Sequence, residues 1–102
     1  LDKQYQPFYL EGVGEGLAKI GVSLIVEKTP WGSDGIMISR DFYQNLEPGY
    51  SRYVLEGMGK GLSYFYTVNT EKDIYQFIDN FKGEDREKIL KTMINNLRIE
   101  RR

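Results

Sequence analysis

Two glycine-rich segments are the first place to look for chemistry. Gly12, Gly14 and Gly16 recur 45 positions later as Gly57, Gly59 and Gly61. Alternating glycines invite a phosphate-binding reading, because bare backbone N–H groups can cradle an anion. The spacing opposes it. A dinucleotide fingerprint needs two residues between its second and third glycines, and only Glu15 or Lys60 stands there. A Walker loop needs Ser or Thr after its lysine, and Gly61 follows Lys60. Glu11 and Glu56 hold matching positions and would divide acid and base roles if their environments differed. The simpler reading is a solvated or arginine-paired helix residue, with Arg52 four positions before Glu56 as partner. Arg40 and Asp41 read as a surface pair in the same way. The chain has no His and no Cys, which removes imidazole bases, thiolate chemistry, disulfides and zinc-finger ligation. No catalytic residue, metal-ligand set or cofactor is expected.

Aromatic residues are the more informative excess. Tyr50, Tyr53 and Tyr64 fall within roughly 60° of one another in helical projection, so they are the candidate lining of a binding groove. Tyrosine contributes large contact area at low entropy cost and dominates binding surfaces. The competing role is packing between helices with the phenol tips in water. Trp31, in a turn-rich stretch from Thr29 to Gly35, reads as a plug over the core, with an exposed anchor as the alternative.

These residues need elements to position them, and an internal repeat supplies the elements. Leu10, Glu11, Gly12, Gly14, Gly16 and Leu17 match Leu55, Glu56, Gly57, Gly59, Gly61 and Leu62 in register. Leu10, Val13, Leu17, Ile20 and Leu24 step by three and four, as do Leu55, Met58, Leu62 and Phe65, which predicts two helices, A over about 7–27 and C over about 48–66. Pro7 and Pro48 suit first turns. Three interior glycines cost a helix about 3 kcal/mol relative to alanine. The expected offset is close approach of neighbouring backbones on both glycine flanks of each helix. Ile38, Phe42 and Leu46 suggest a short helix B, roughly 36–46. Thr70 to Asp73 resembles a capping box opening helix D through Ile74, Phe77, Ile78 and Phe81, which Gly83 would end. Glu84, Asp85 and Glu87 then open helix E, about 84–100. There Leu90, Met93 and Leu97 form a possible third copy, with Thr92, Ile94 and Asn96 in place of the glycines, as expected of a terminal repeat.

The 102 residues fit one small domain, and a hydrophobic fraction of 40% is enough for a core. A net charge of −1 leaves no footprint for nucleic acid or an anionic membrane. The longest apolar run, around Gly21 to Val26, is far short of the roughly 20 residues of a membrane span. From Lys82 to Arg102 there are seven basic and four acidic residues, a surplus that complements the end of helix E. The chain begins at Leu1 rather than Met, which leaves room for a removed signal or a larger parent. Nothing assigns a compartment, and the cytoplasm is the default.

Arg52 to Phe65, followed by the acidic-capped helix ending at Phe81 and then Arg86, Ile89 and Leu90, resembles a stretch of an uncharacterised family of enediyne polyketide biosynthesis clusters. Phe8 to Ala18 resembles a related glycine-rich segment of that family. Lys60 and Tyr64 stand where the family has Arg and Trp. Thr92 and Ile94 replace its last two glycines, and family chains are about three times longer. The resemblance covers about half of this chain. It implies a helical fold and a bacterial biosynthetic setting, with no established reaction.

The resulting expectation is an all-α, solenoid-like bundle of about five helices in stacked antiparallel pairs, A with B and C with D, E closing the end. Repeat 1 spans about 7–46, repeat 2 about 48–82 and the terminal helix about 84–100. Gly12, Gly14, Gly16, Gly57, Gly59 and Gly61 serve helix packing. Such arrays bind partners along grooves, so the leading function is a non-enzymatic binding or scaffold module. It presents Tyr50, Tyr53 and Tyr64 to a protein, a larger parent chain or an apolar ligand, with oligomers possible. The alternative is an enzyme or enzyme-accessory subunit of secondary metabolism acting through Glu11, Glu56 and Arg52, which requires one of those glutamates desolvated in a pocket.

Overall fold

The structure, a computed structural model, describes residues 6–26, 41, 44–46 and 48–100. Among them the fold is all-helical: α1 (Gln6–Val26), α2 (Pro48–Phe65), α3 (Glu71–Ile78) and α4 (Gly83–Glu100). Helix B, expected over about 36–46, falls almost wholly outside the described residues, as does Trp31. At its end Asn45 Nδ2 donates to the Asp41 carbonyl at 2.7 Å, and Leu46 packs against the core.

The organising contact is between α1 and α2. Glu11 backbone lies on Gly57, Glu15 backbone on Gly61, and the Lys19 amine over the Phe65 ring. Each pair is 46 positions apart, so the two helices run in the same sense. Helix α2 meets α4 on its other side, where Glu56 reaches Lys88, Gly59 lies on Thr92, and Ser63 bonds Asn96. These separations are 32 and 33 positions, again the same sense. Parallel neighbours require the chain to be carried back along the helix length between them, and α3 lies in the return from α2 to α4. The described helices therefore differ from the expected antiparallel pairing of C with D, while the pairing of A with B lies outside the described residues. Helix α2 packs chiefly on α1 and α4 rather than on α3, because its glycines open those two sides to another backbone.

Glycine permits this at specific positions. A Cβ on Gly57 would overlap the Glu11 carbonyl oxygen and lie 2.9 Å from the Glu11 Cα. One on Gly14 would overlap the Val54 carbonyl oxygen and lie 2.9 Å from Met58 N, and one on Gly59 would lie 2.7 Å from the Ile89 carbonyl oxygen. Gly12 and Gly16 face no such neighbour among the described residues: a Cβ on either meets none of them within 4 Å. Only α2 is wedged, since no described helix lies beyond α1 on that side.

The two crossings use corresponding positions. Gly14 rests against Val54, Gly57 and Met58, while Gly59, 45 positions on, rests against Ile89, Thr92 and Met93, each 35 positions on. The Ala18 methyl faces Gly61, 3.4 Å from where a Cβ on that glycine would stand, whereas the corresponding Ser63 accepts a 2.6 Å hydrogen bond from Asn96 Nδ2.

The core draws on all four helices. Val54, Leu55, Met58 and Leu62 of α2 join Ile74, Phe77 and Ile78 of α3, Phe81, and Ile89 and Met93 of α4. On α1 the buried set is Leu10, Ala18, Val22 and Ile25, and Ile20, assigned to the apolar stripe, is 57% exposed. The small residues decide this: Gly14, Ala18 and Gly21 mark the side where other chain segments press closest, and that rotates Ile20 outward. Gly21 seats Phe77, whose ring would be 2.5 Å from a Cβ there. Phe77 in turn packs against Phe81 at 5.5 Å between ring centroids.

Two boundary expectations are corrected. Thr70 precedes α3 but makes no side-chain cap bond; its hydroxyl instead donates to the Phe65 carbonyl at 2.7 Å and accepts from the Thr67 amide at 2.9 Å, closing the α2–α3 turn. Gly83 does not end α3, which stops at Ile78, but begins α4 with φ of 57°, a left-handed conformation that glycine adopts without steric cost.

The two classes of glycine should respond to alanine with opposite sign. Gly57→Ala forces α1 away from α2 and is expected to lower stability by about 2 kcal/mol or more, overpacking outweighing the gain in helix propensity. Gly12→Ala meets open space and is expected to raise stability by up to about 1 kcal/mol. Urea unfolding followed by circular dichroism reads both; equal effects would contradict the assigned contacts.

Candidate functional site

The parallel crossing of α1 and α2 leaves a shallow groove of about 300 Å³ on one surface. Gly12 and Gly16 line its α1 side without side chains, Glu15 and Lys19 rise beside them, and Gly61, Tyr64 and Phe65 form the α2 wall. Lys19 Nζ sits 5.9 Å from the Phe65 ring centroid, within range of a cation–π attraction. Tyr64 is 59% exposed, so most of its ring is free to contact a partner.

The three tyrosines singled out by helical projection do not form one lining. Tyr64 alone reaches the groove, while Tyr50 and Tyr53 are half-buried against the core. Projection ignores rise: Tyr53 and Tyr64 are separated by about 16 Å along the helix axis. Tyr53 is further engaged by its neighbour Arg52, whose guanidinium lies 4.7 Å from the ring centroid and donates to the phenol oxygen at 2.7 Å. That hydrogen bond to Tyr53 pushes the Arg52 guanidinium above its ordinary range.

Arg52 is thus not the ion-pair partner of Glu56. Glu56 pairs with Lys88 of α4 at 3.1 Å, and Glu11 pairs with Lys60 of α2. Both repeat glutamates serve the helix crossings, each bridging from its own helix to the next. Neither lines any of the three grooves described for this fold. The lysine partners escaped sequence reasoning because they lie on other helices. A signal was present: the variable motif position changes sign, Glu15 in one copy and Lys60 in the other, as suits a helix stacked beside its own repeat.

Two further grooves are open to solvent. One, about 380 Å³, is lined by Glu87, Leu90, Lys91, Ile94, Asn95 and Arg98 of α4. The other, about 600 Å³, lies along α3 between Val68 and Asp79. Part of the basic surplus near the C-terminal end is paired: Arg86 contacts Asp79 at 3.0 Å and Lys88 holds Glu56. Among the described residues no cluster of three potential metal ligands occurs, no helix is long and apolar enough to cross a membrane, and no buried side-chain polar atom lacks a partner. No protein-family model, curated protein or solved structure matches the chain.

Hydrogen bonding to Glu11, reinforced by the carboxylates of Glu11 and Glu15, outweighs partial burial and raises the Lys60 amine above its ordinary value. A raised folded-state value means that the charged amine favours the folded state. This contribution is intact below the unfolded-lysine range near about pH 10.4 and is lost as pH climbs through the folded value. Lys60→Met is expected to cost about 0.5–1 kcal/mol at neutral pH, a modest figure because both side chains remain partly exposed. The difference between parent and variant should shrink above about pH 10.4 in urea unfolding curves; a constant difference across that range would refute the pairing.

Proposed function

We propose that this chain is a non-enzymatic binding or scaffold module of helical-repeat type, which engages a protein or apolar ligand through the α1–α2 groove beside Tyr64. The observation that carries the reading is the reuse of one crossing: Gly14 on Val54, Gly57 and Met58, then Gly59 on Ile89, Thr92 and Met93. A unit that stacks on its neighbour by a fixed contact is the building principle of helical arrays, and such arrays present extended grooves as binding surfaces. The groove itself has a glycine side, an aromatic wall and one charge of each sign. It is suited to a helix or an apolar side chain lying against backbone.

The disposition of the glutamates favours this reading over an enzyme or enzyme-accessory subunit. Acid–base work by Glu11 or Glu56 would require a carboxylate desolvated within a pocket, and both are committed to lysines across helix crossings.

Panning a displayed peptide library against the folded chain tests the proposal. Binders are expected to lose at least about tenfold in affinity with Tyr64→Ala, an anchor's worth of binding energy, and with Gly16→Leu, which fills the groove. Tyr64 is mostly exposed and Gly16 borders open space, so both variants should remain folded by circular dichroism. Binders indifferent to both variants would overturn the assignment of the groove.

A further inference from the structure

We infer that the outer face of α1 receives α4 of a second copy of this chain, so that copies associate head to tail. The inference deepens the binding-module reading by naming the occupant of that face. On α2, the positions that meet the preceding helix are Val54, Gly57, Met58 and Gly61, and all are buried. Their counterparts 45 positions earlier are Tyr9, Gly12, Val13 and Gly16. Tyr9 is 56% exposed, and a Cβ on Gly12 or Gly16 meets open space. Helix α1 thus carries the receiving half of a crossing on which no described residue is seated.

Helix α4 carries the other half. The positions by which α1 and α2 grip the next helix are Glu11 and Glu56, Gly14 and Gly59, Ala18 and Ser63. Their counterparts on α4 are Lys91, Ile94 and Arg98, and all three line its open groove.

Charge specifies a second copy as occupant. Within the chain, Glu11 of one helix pairs with Lys60 of the next. Between copies, Lys91 stands at the glutamate position and Glu15 at the lysine position, the same pair with its signs exchanged. The remaining charges are Glu87 and Arg98 on the α4 face, and Lys19 on the α1 face, whose amine is drawn toward the Phe65 ring. Ile94 replaces the glycine of the internal crossings, so the intermolecular one is wider. Its side chain lies over the bare strip between Gly12 and Gly16.

Because donor and receptor faces sit at opposite ends of the stack, the contact is heterologous and association proceeds past the dimer. Sedimentation of the whole chain from micromolar to millimolar concentration is expected to show average mass rising beyond two copies. Glu15→Lys and Lys91→Glu each place like charges opposite one another and should move association to at least about tenfold higher concentration. The double variant, which restores the pair in reverse, should recover it. Gly16→Arg, pointing into open space and folding normally by circular dichroism, should abolish it. A chain that stays monomeric to millimolar concentration, a closed dimer, or a double variant no better than the single ones would overturn the inference. Monomeric chains that still bind selected peptides in a Tyr64-dependent manner would remove only the second copy as occupant and leave the binding module standing.

Discussion

Backbone pressing on backbone at Gly57 is the contact from which the rest of this fold follows. With only hydrogens on its Cα, α2 admits the Glu11 main chain at a separation no other residue allows. On its opposite side Gly59 does the same for α4 at Ile89 and Met93. Each interior glycine weakens an isolated helix by about 1 kcal/mol relative to alanine, so α2 is a poor helix on its own. Its stability resides in the dispersion contacts that two close neighbours provide, and Met58 and Leu62 are sealed between them with no solvent exposure. Secondary and tertiary structure are therefore coupled more tightly here than in an alanine- or leucine-rich bundle.

Close approach also explains the polarity of the stack. Antiparallel helices joined by short loops can pack through large side chains, but α1, α2 and α4 run in one sense and must be linked by return segments. The return through α3 does more than connect. Phe77 drops into the space left by Gly21, and Ile74 and Ile78 close the core from the same helix. The short helix is thereby bound to α1, two elements away in sequence order.

The class of fold, the four described helices and most of the α2 core were legible from the three- and four-residue steps of leucine, methionine, isoleucine and phenylalanine. The sense of the helices was not, because a projection of one helix contains no information about its neighbour's direction. Ile20 shows the same limit: hydropathy placed it on the buried stripe, whereas the small residues Gly14, Ala18 and Gly21 determine which side of α1 lies against the rest of the chain. Tyr50, Tyr53 and Tyr64 share an angle but not a height, so angular clustering overstated a common site. Thr70 matched a capping signature, yet its hydroxyl closes the preceding turn, a competition that local sequence cannot arbitrate. Gly14 and Gly16 look alike in the sequence, and only the tertiary structure separates the one that touches Met58 from the one that faces open space.

The motif copies differ in a graded way that gives the stack a direction. At the first crossing the small pair is Ala18 and Gly61; at the second it is Ser63 and Asn96, where apolar contact is exchanged for a hydrogen bond of 2.6 Å. The lysine that answers the motif glutamate also moves, from Lys60 within the motif to Lys88 ahead of it. On α4 the Thr92 side chain stands against Gly59, where the first crossing sets Gly57 against Gly14. From the first crossing to the second the share carried by side chains rises, so the crossings are related but not interchangeable. The difference between the crossings gives each side of α2 its own neighbour, α1 on one and α4 on the other, and that ordering helps glycine-rich helices specify a single arrangement.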